Sequence, residues 1–218
     1  SKRYLGYIGV TLNALPSQFY VTGTDTNVGK TMVSALLCKA LGASYWKPIQ
    51  AGLDQETDSQ RVARLAQAEV FPETYRIIRA ASPHAAAQDE NIRVELERFE
   101  LPTSKPLVVE GAGGLLVPYA ADPLRWQHEL IHLLDLPVLV IARTGLGTLN
   151  HSFLTHRVLK SLNIPCLGSI LVGPAHAENE RDVARYTGLP VHARVEWSED
   201  VDKDFDALAT QLAKDLRS

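Results

Sequence analysis

The stretch Gly23-Thr24-Asp25-Thr26-Asn27-Val28-Gly29-Lys30-Thr31 constrains this chain more than any other. It follows the β-type run Phe19, Tyr20, Val21 and Thr22, and it leads into residues 32–41, whose apolar spacing and trailing Gly42 read as a helix with a glycine stop. In a strand–loop–helix of this kind, unpaired backbone N–H groups and the positive helix end converge on one anion. Lys30 is then the group that neutralises β- and γ-phosphates, and the Thr31 hydroxyl is a Mg²⁺ contact. The usual motif has four residues between its first glycine and Gly-Lys, whereas five separate Gly23 from Gly29, so Thr24 stands where that glycine would be. The loop is a variant phosphate loop.

Composition narrows the rest. A chain of 218 residues, 45% hydrophobic and 22% charged, suits one globular α/β domain with a sizeable core. Residues 19–218 are expected to form it, with 1–18 an amino-terminal extension of unassigned role. A net charge of −3 and a pI near 6.2 make no electrostatic case for nucleic acid. Cys38 and Cys166 lie far apart in apolar runs, which suits buried thiols in a reducing compartment. No apolar stretch is long enough to span a membrane, and glycines, Thr11 and Asn13 interrupt the signal-like start, so a cytoplasmic protein is expected.

Along the chain, residues 43–46 read as a short strand ending at Lys47-Pro48, which puts Lys47 at a strand's carboxyl end, the edge where open parallel sheets bind ligands. A polar turn follows, then a helix over 59–68 for which Asp58 or Thr57 suits the N-cap. Ser82-Pro83-His84 opens a helical stretch over 85–88, where a histidine beside proline reads as structural, and residues 91–99 read as a further helix. Pro106-Leu107-Val108-Val109-Glu110 is an apolar run ending in a carboxylate, then Gly111-Ala112-Gly113-Gly114. Such a run suits a strand covered on both faces, and an idle carboxylate at its buried end would be costly, which makes Glu110 the second candidate metal contact. Strands over 137–142, 165–172 and 190–195 alternate with helices over 126–134, 152–162, 178–186 and 205–216, and the loop 143–151 enters the helix that begins at Ser152. Six or seven strands alternating with helices predict a doubly wound, mainly parallel sheet of the P-loop NTPase type.

Taken together, the phosphate loop, Lys47-Pro48-Ile49-Gln50-Ala51-Gly52, Ser82-Pro83-His84, Val109-Glu110-Gly111-Ala112-Gly113-Gly114 and Gly147-Thr148-Leu149-Asn150-His151 resemble the dethiobiotin synthetase family, in family order. The resemblance implies ATP- and Mg²⁺-dependent carboxylation of 7,8-diaminopelargonate with CO₂, through a carbamate and a carbamic-phosphoric anhydride. It implies Lys30, Lys47 and Thr26 as catalytic residues, and Thr31, Asp58 and Glu110 as metal ligands, which sets aside capping as the role of Asp58. Nucleotide contacts are implied for Asn27, Val28, Gly29, Lys30, Thr31, Asp58, Glu110, Gly111, Ala112, Gly113, Gly173 and Pro174. Substrate contacts are implied for Thr26, Lys47 and Ala51, with Gly147 and Asn150 reaching the substrate carboxylate across a homodimer interface. The chain departs from some relatives at Ala51, where they have serine, and at Gly173-Pro174, where they have a base-reading Asn-Asp pair, so other nucleoside triphosphates are expected to serve. A regulatory ATPase of the partition or metal-delivery type is the alternative, but such proteins carry a second lysine near the start of the loop, and this chain has Thr24-Asp25-Thr26 there. An amidating synthase of cobalamin synthesis would bring a glutamine-hydrolysing domain, for which the chain has no room.

Overall fold

The computed structural model describes residues 15–198 and 200–217, so the opening segment 1–14 and its signal-like pattern lie outside the described residues. Among the described residues, seven strands form one parallel sheet: β1 (Gln18–Gly23), β2 (Ser44–Trp46), β4 (Val70–Phe71), β6 (Leu107–Gly114), β9 (Val138–Arg143), β10 (Cys166–Val172) and β11 (Val191–Val195). Their order is β11-β10-β9-β1-β6-β2-β4. A parallel pair, β3 (Ile49–Ala51) with β5 (Tyr75–Ile77), and an antiparallel pair, β7 (Pro118–Ala121) with β8 (Leu124–Trp126), stand apart from it. β1 is the centre: the chain first builds outward to β2 and β4, returns to insert β6 beside β1, and then winds the other way through β9, β10 and β11. The reversal puts a crevice at the carboxyl ends of β1 and its neighbours.

The apolar strand runs make sense as two half-cores, because successive strand side chains point to opposite faces. Phe19, Val21, Val108, Leu139, Ile141, Ile170 and Val172 face one layer, with Val33 and Leu36 of α1 (Lys30–Leu41), Val62 of α2 (Asp58–Ala66) and Phe205 of α7 (Val201–Asp215). Tyr20, Leu107, Val109, Val138 and Val140 face the other, with Ala86 of α3 (Pro83–Asp89), Leu130 of α4 (Gln127–Leu134) and Leu159 of α5 (Thr148–Ser161). The remaining helix, α6 (Ala177–Thr187), packs on α5 and β11. Among the described residues no helix is long and apolar enough to cross a membrane.

Three sequence expectations need correction. The helix expected over 91–99 is only a 3₁₀ turn, Leu96–Arg98: Asn91 takes a left-handed φ of 52° and ends the preceding helix. Val94 and Phe99 are nevertheless buried. α5 begins at Thr148, four residues before the expected Ser152, which turns Asn150 from a loop residue into a first-turn helical one. β6 runs on through Gly114 and does not stop at Glu110.

On the sheet face away from α1, His156 of α5 is buried, its Nε2 3.0 Å from Ser169 Oγ and its Nδ1 3.4 Å from Cys166 Sγ. Burial pushes its pKa down to about 4. The folded protein therefore holds this imidazole neutral between about pH 4 and 6.5, where the unfolded chain would bind a proton. Stability from this group is full above about pH 6.5 and is lost as pH falls through 4, by roughly 3 kcal/mol at most. Urea unfolding at pH 7 and pH 5 should show wild type losing more stability than His156→Gln over that interval.

Candidate functional site

The site assembles where β1 and β2 end, beside Glu110 in the middle of β6. In the phosphate loop, Asn27 (φ 57°) and Gly29 (φ 98°) are both left-handed, and Gly29 is the N-cap of α1 with no side-chain capping bond. A β-carbon on Gly29 would stand 3.2 Å from Val172 Cγ1, so glycine is required there both by φ and by the close approach of the β10 end. The loop's free N–H groups and the positive end of α1 thus face one concavity. Lys30 is the first residue of the helix, buried, with its Nζ donating to the Asp25 carbonyl at 3.1 Å. Burial, and to a lesser degree the neighbouring Lys47, hold its pKa below the usual lysine value against the pull of Glu110.

Lys47 leaves the end of β2 almost fully buried, 4% exposed. Its Nζ lies 2.7 Å from Asp58 Oδ2 and 3.3 Å from Glu110 Oε1. Burial works against its charge, but the two carboxylates outweigh burial and set its pKa above the usual lysine value. For Asp58 burial likewise opposes ionisation, and the Lys47 ammonium and Thr31 hydroxyl outweigh it and hold the carboxyl below its ordinary value. Thr31 Oγ1 is 2.8 Å from Asp58 Oδ1 and 2.9 Å from Glu110 Oε1, so one hydroxyl and two carboxylates converge. Hard oxygen donors at this spacing beside a phosphate cradle fit Mg²⁺ bound with water and phosphate oxygens.

The local sequence explains the arrangement. Strand alternation puts Tyr45, Lys47, Val108 and Glu110 on the α1 face. Thr57 is the N-cap of α2 through a capping box, accepting from Gln60 N at 3.2 Å while Gln60 Oε1 accepts from Thr57 N at 2.9 Å. The cap is therefore Thr57, and Asp58, one residue further on, has its carboxylate on Lys47 and Thr31.

The other sequence candidates fall into three places. Thr26 is exposed at the loop tip, close enough to β6 that a β-carbon on Gly113 would stand 3.7 Å from its hydroxyl; Val28 beneath it is buried. Gly111 and Ala112 continue β6 past Glu110, and Ala51 ends β3 with its carbonyl accepting from Gln50 Nε2 at 3.0 Å. Gly173 and Pro174 follow β10 beside the loop. Gly173 has φ 136° and a β-carbon there would collide with Thr144 Oγ1, so position 173 admits no side chain. Gly147 and Asn150 sit at the exposed start of α5, and no hydrogen bond or ion pair among the described residues joins them to the Lys47 cluster.

Sequence reading missed four supporting side chains. Tyr45 OH donates to Glu110 Oε2 at 2.9 Å, Gln50 Oε1 accepts from Asp58 N at 3.3 Å, and Arg143 donates to the Asn27 carbonyl at 3.0 Å. Gln127, the first residue of α4, accepts from Tyr20 OH at 3.2 Å and donates to the Gly114 carbonyl at 2.8 Å, tying β1 to the glycine end of β6. Tyr45 could have been found, because it lies two residues before Lys47 and so on its face. Nothing in sequence spacing signals the other three.

Known proteins resemble this chain in sequence and in fold. A family model described as an AAA domain matches residues 17–204. The ATP-dependent dethiobiotin synthetase BioD of Sphingopyxis alaskensis is 47% identical over 173 residues, 79% of this chain and 84% of that protein. The enzyme of the same name from Brucella ovis is 46% identical, over 77% of this chain and 80% of its own. Among solved structures, the cell division ATPase MinD of Pyrococcus furiosus aligns with a TM-score of 0.58 at 12% identity, covering 92% of this chain and 98% of that one, a likeness of fold alone. With a phosphate loop and relatives 46–47% identical over more than three quarters of its length, the chain belongs to the ATP-dependent dethiobiotin synthetase family.

Proposed function

We propose that this protein makes dethiobiotin from 7,8-diaminopelargonate, CO₂ and ATP. One amine adds to CO₂ and loses a proton to give a carbamate. A carbamate oxygen then takes the γ-phosphoryl group, releasing ADP. The second amine attacks the carbonyl carbon, phosphate leaves, and the ureido ring closes. The observation that carries this reading is the buried Lys47 ammonium at the strand edge beside the phosphate loop. A carbamate facing a triphosphate brings like charges together, at about 4 kcal/mol per unit pair 4 Å apart at an effective dielectric of 20. Lys30 and Lys47 offset that repulsion and the charge that develops in transfer. Thr26 hydrogen-bonds the reacting amine or carbamate, and the Gly111–Gly113 backbone and Ala51 border the reactants. Thr31, Asp58 and Glu110 would hold Mg²⁺, which when bound would supply charge neutralisation and alignment of the phosphates.

The reading includes a homodimer in which the α5 start of one copy grips the substrate carboxylate of the other. Its support is the exposed helix N-terminus at Gly147 and the apolar Leu146 and Leu154 standing open beside Asn150. Free thiols at Cys38 and Cys166 suit a reducing, cytoplasmic setting.

The test is phosphate release by the purified protein with Mg²⁺-ATP and bicarbonate, with and without the diamine. Strict diamine dependence supports the carboxylase; diamine-independent hydrolysis would favour a regulatory ATPase. In the same assay CTP and GTP are expected to sustain kcat/KM within roughly tenfold of ATP, because position 173 has no side chain to pair with a base. A preference for ATP above about a hundredfold would mean that another group reads the base.

A further inference from the structure

Tyr45 is the feature that the proposed mechanism leaves without a role. Its ring is fully buried on β2, and among the described residues its hydroxyl has one hydrogen-bond partner, Glu110 Oε2, at 2.9 Å. Glu110 is itself 1% exposed, and its two oxygens are used differently. Oε1 accepts from Thr31 Oγ1 at 2.9 Å and Lys47 Nζ at 3.3 Å, on the side of the phosphate loop. Oε2 accepts from Tyr45 alone among the described residues. β2 is hydrogen-bonded to β6, with Tyr45 opposite Val108, so the phenol is carried by the sheet next to the strand that carries the carboxylate. A carboxylate can turn about its terminal torsion at little cost, and the rigid, packed phenol removes that freedom.

We propose that Tyr45 is a positioning residue that fixes the Glu110 carboxylate with Oε1 toward the metal, and thereby sets the preference of this site for Mg²⁺ over Ca²⁺. The proposal rests on the reading of Glu110 as a Mg²⁺ ligand. Mg²⁺ demands near-ideal octahedral geometry at short distances, whereas Ca²⁺ accepts six to eight oxygens in flexible arrangements. Loosening one oriented ligand therefore penalises Mg²⁺ more than Ca²⁺. Partners that hydrogen-bond a metal ligand are typically worth tenfold or more in metal affinity. A residue that only filled space would change both ions alike.

The experiment measures metal binding without turnover. Mn²⁺ bound to the protein with ADP is followed by electron paramagnetic resonance and displaced by Mg²⁺ or Ca²⁺, for wild type, Tyr45→Phe, Glu110→Gln and the double variant. Tyr45→Phe removes one oxygen and keeps the ring; thermal melting checks that it folds, and Tyr45→Trp serves as a second variant if it does not. The expected result is about a tenfold loss of Mg²⁺ affinity and no more than about a twofold loss for Ca²⁺. In the double variant the tyrosine change should add nothing to Glu110→Gln, since it acts through that carboxylate. Equal losses for both ions, no loss, or full additivity in the double variant would overturn the role of Tyr45. If wild type failed to bind Mn²⁺, or Glu110→Gln bound it as wild type does, the Mg²⁺ reading of Glu110 would fall, and the proposal with it.

Discussion

Lys47→Ala is expected to lower kcat/KM for the diamine by about a hundredfold or more, the usual loss when one preorganised charge contact to a transition state is removed. The lysine is nearly fully buried, with its Nζ 2.7 Å from Asp58 and 3.3 Å from Glu110, so neither water nor a neighbour can replace it. Its removal also leaves Glu110 without its ion-pair partner in a low-dielectric setting, where breaking a buried pair costs about 3–5 kcal/mol. Part of that loss is moderated by the hydroxyls of Thr31 and Tyr45, which still donate to Glu110. The change should therefore lower the melting temperature as well, and turnover has to be measured where the variant is folded. A diagnostic separates the two effects: the folded variant should bind Mg²⁺ more tightly than wild type, because two carboxylates are left with one fewer competing cation. Unchanged diamine-dependent turnover would remove Lys47 from the chemistry.

Glu110→Gln is expected to act in the opposite sense on the metal. The amide keeps the shape and can still accept from Thr31 or Tyr45, but it contributes no charge to a divalent cation. The Mg²⁺ concentration for half-maximal rate should rise at least tenfold, with turnover partly restored at high Mg²⁺. Lys47 keeps Asp58 at 2.7 Å, so the variant should remain folded. Rates measured against Mg²⁺ at fixed nucleotide give the answer, and an unchanged dependence would take Glu110 out of the metal shell. Tighter metal with Lys47→Ala and weaker metal with Glu110→Gln is a pair of signs that general loss of structure would not produce.

Much of the fold could be read from the chain because its signals are local. The apolar runs at 107–109 and 138–142 are strands covered on both faces, and each alternates between the two half-cores as a period of two requires. The strand, loop and helix around Gly29 could be read from residue order, since φ, the missing side chain and the lysine all act within a few residues. Where periodicity was weak the reading failed: Val94 and Phe99 are held by burial around a single 3₁₀ turn, and Asn91 ends the helix before them.

The sequence by itself settled the class of fold, the phosphate loop and the residue types at the strand ends, because backbone propensity and side-chain alternation are short-range properties. Only the tertiary structure decided which side chains meet. Thr31, Lys47, Asp58 and Glu110 come from four segments up to 79 positions apart, and their convergence depends on β6 being inserted between β1 and β2. The same insertion puts the Tyr45 hydroxyl on Glu110, and the docking of α4 puts Gln127 on Tyr20. Sheet order is set by the packing of whole layers, so no local pattern of residues encodes these contacts.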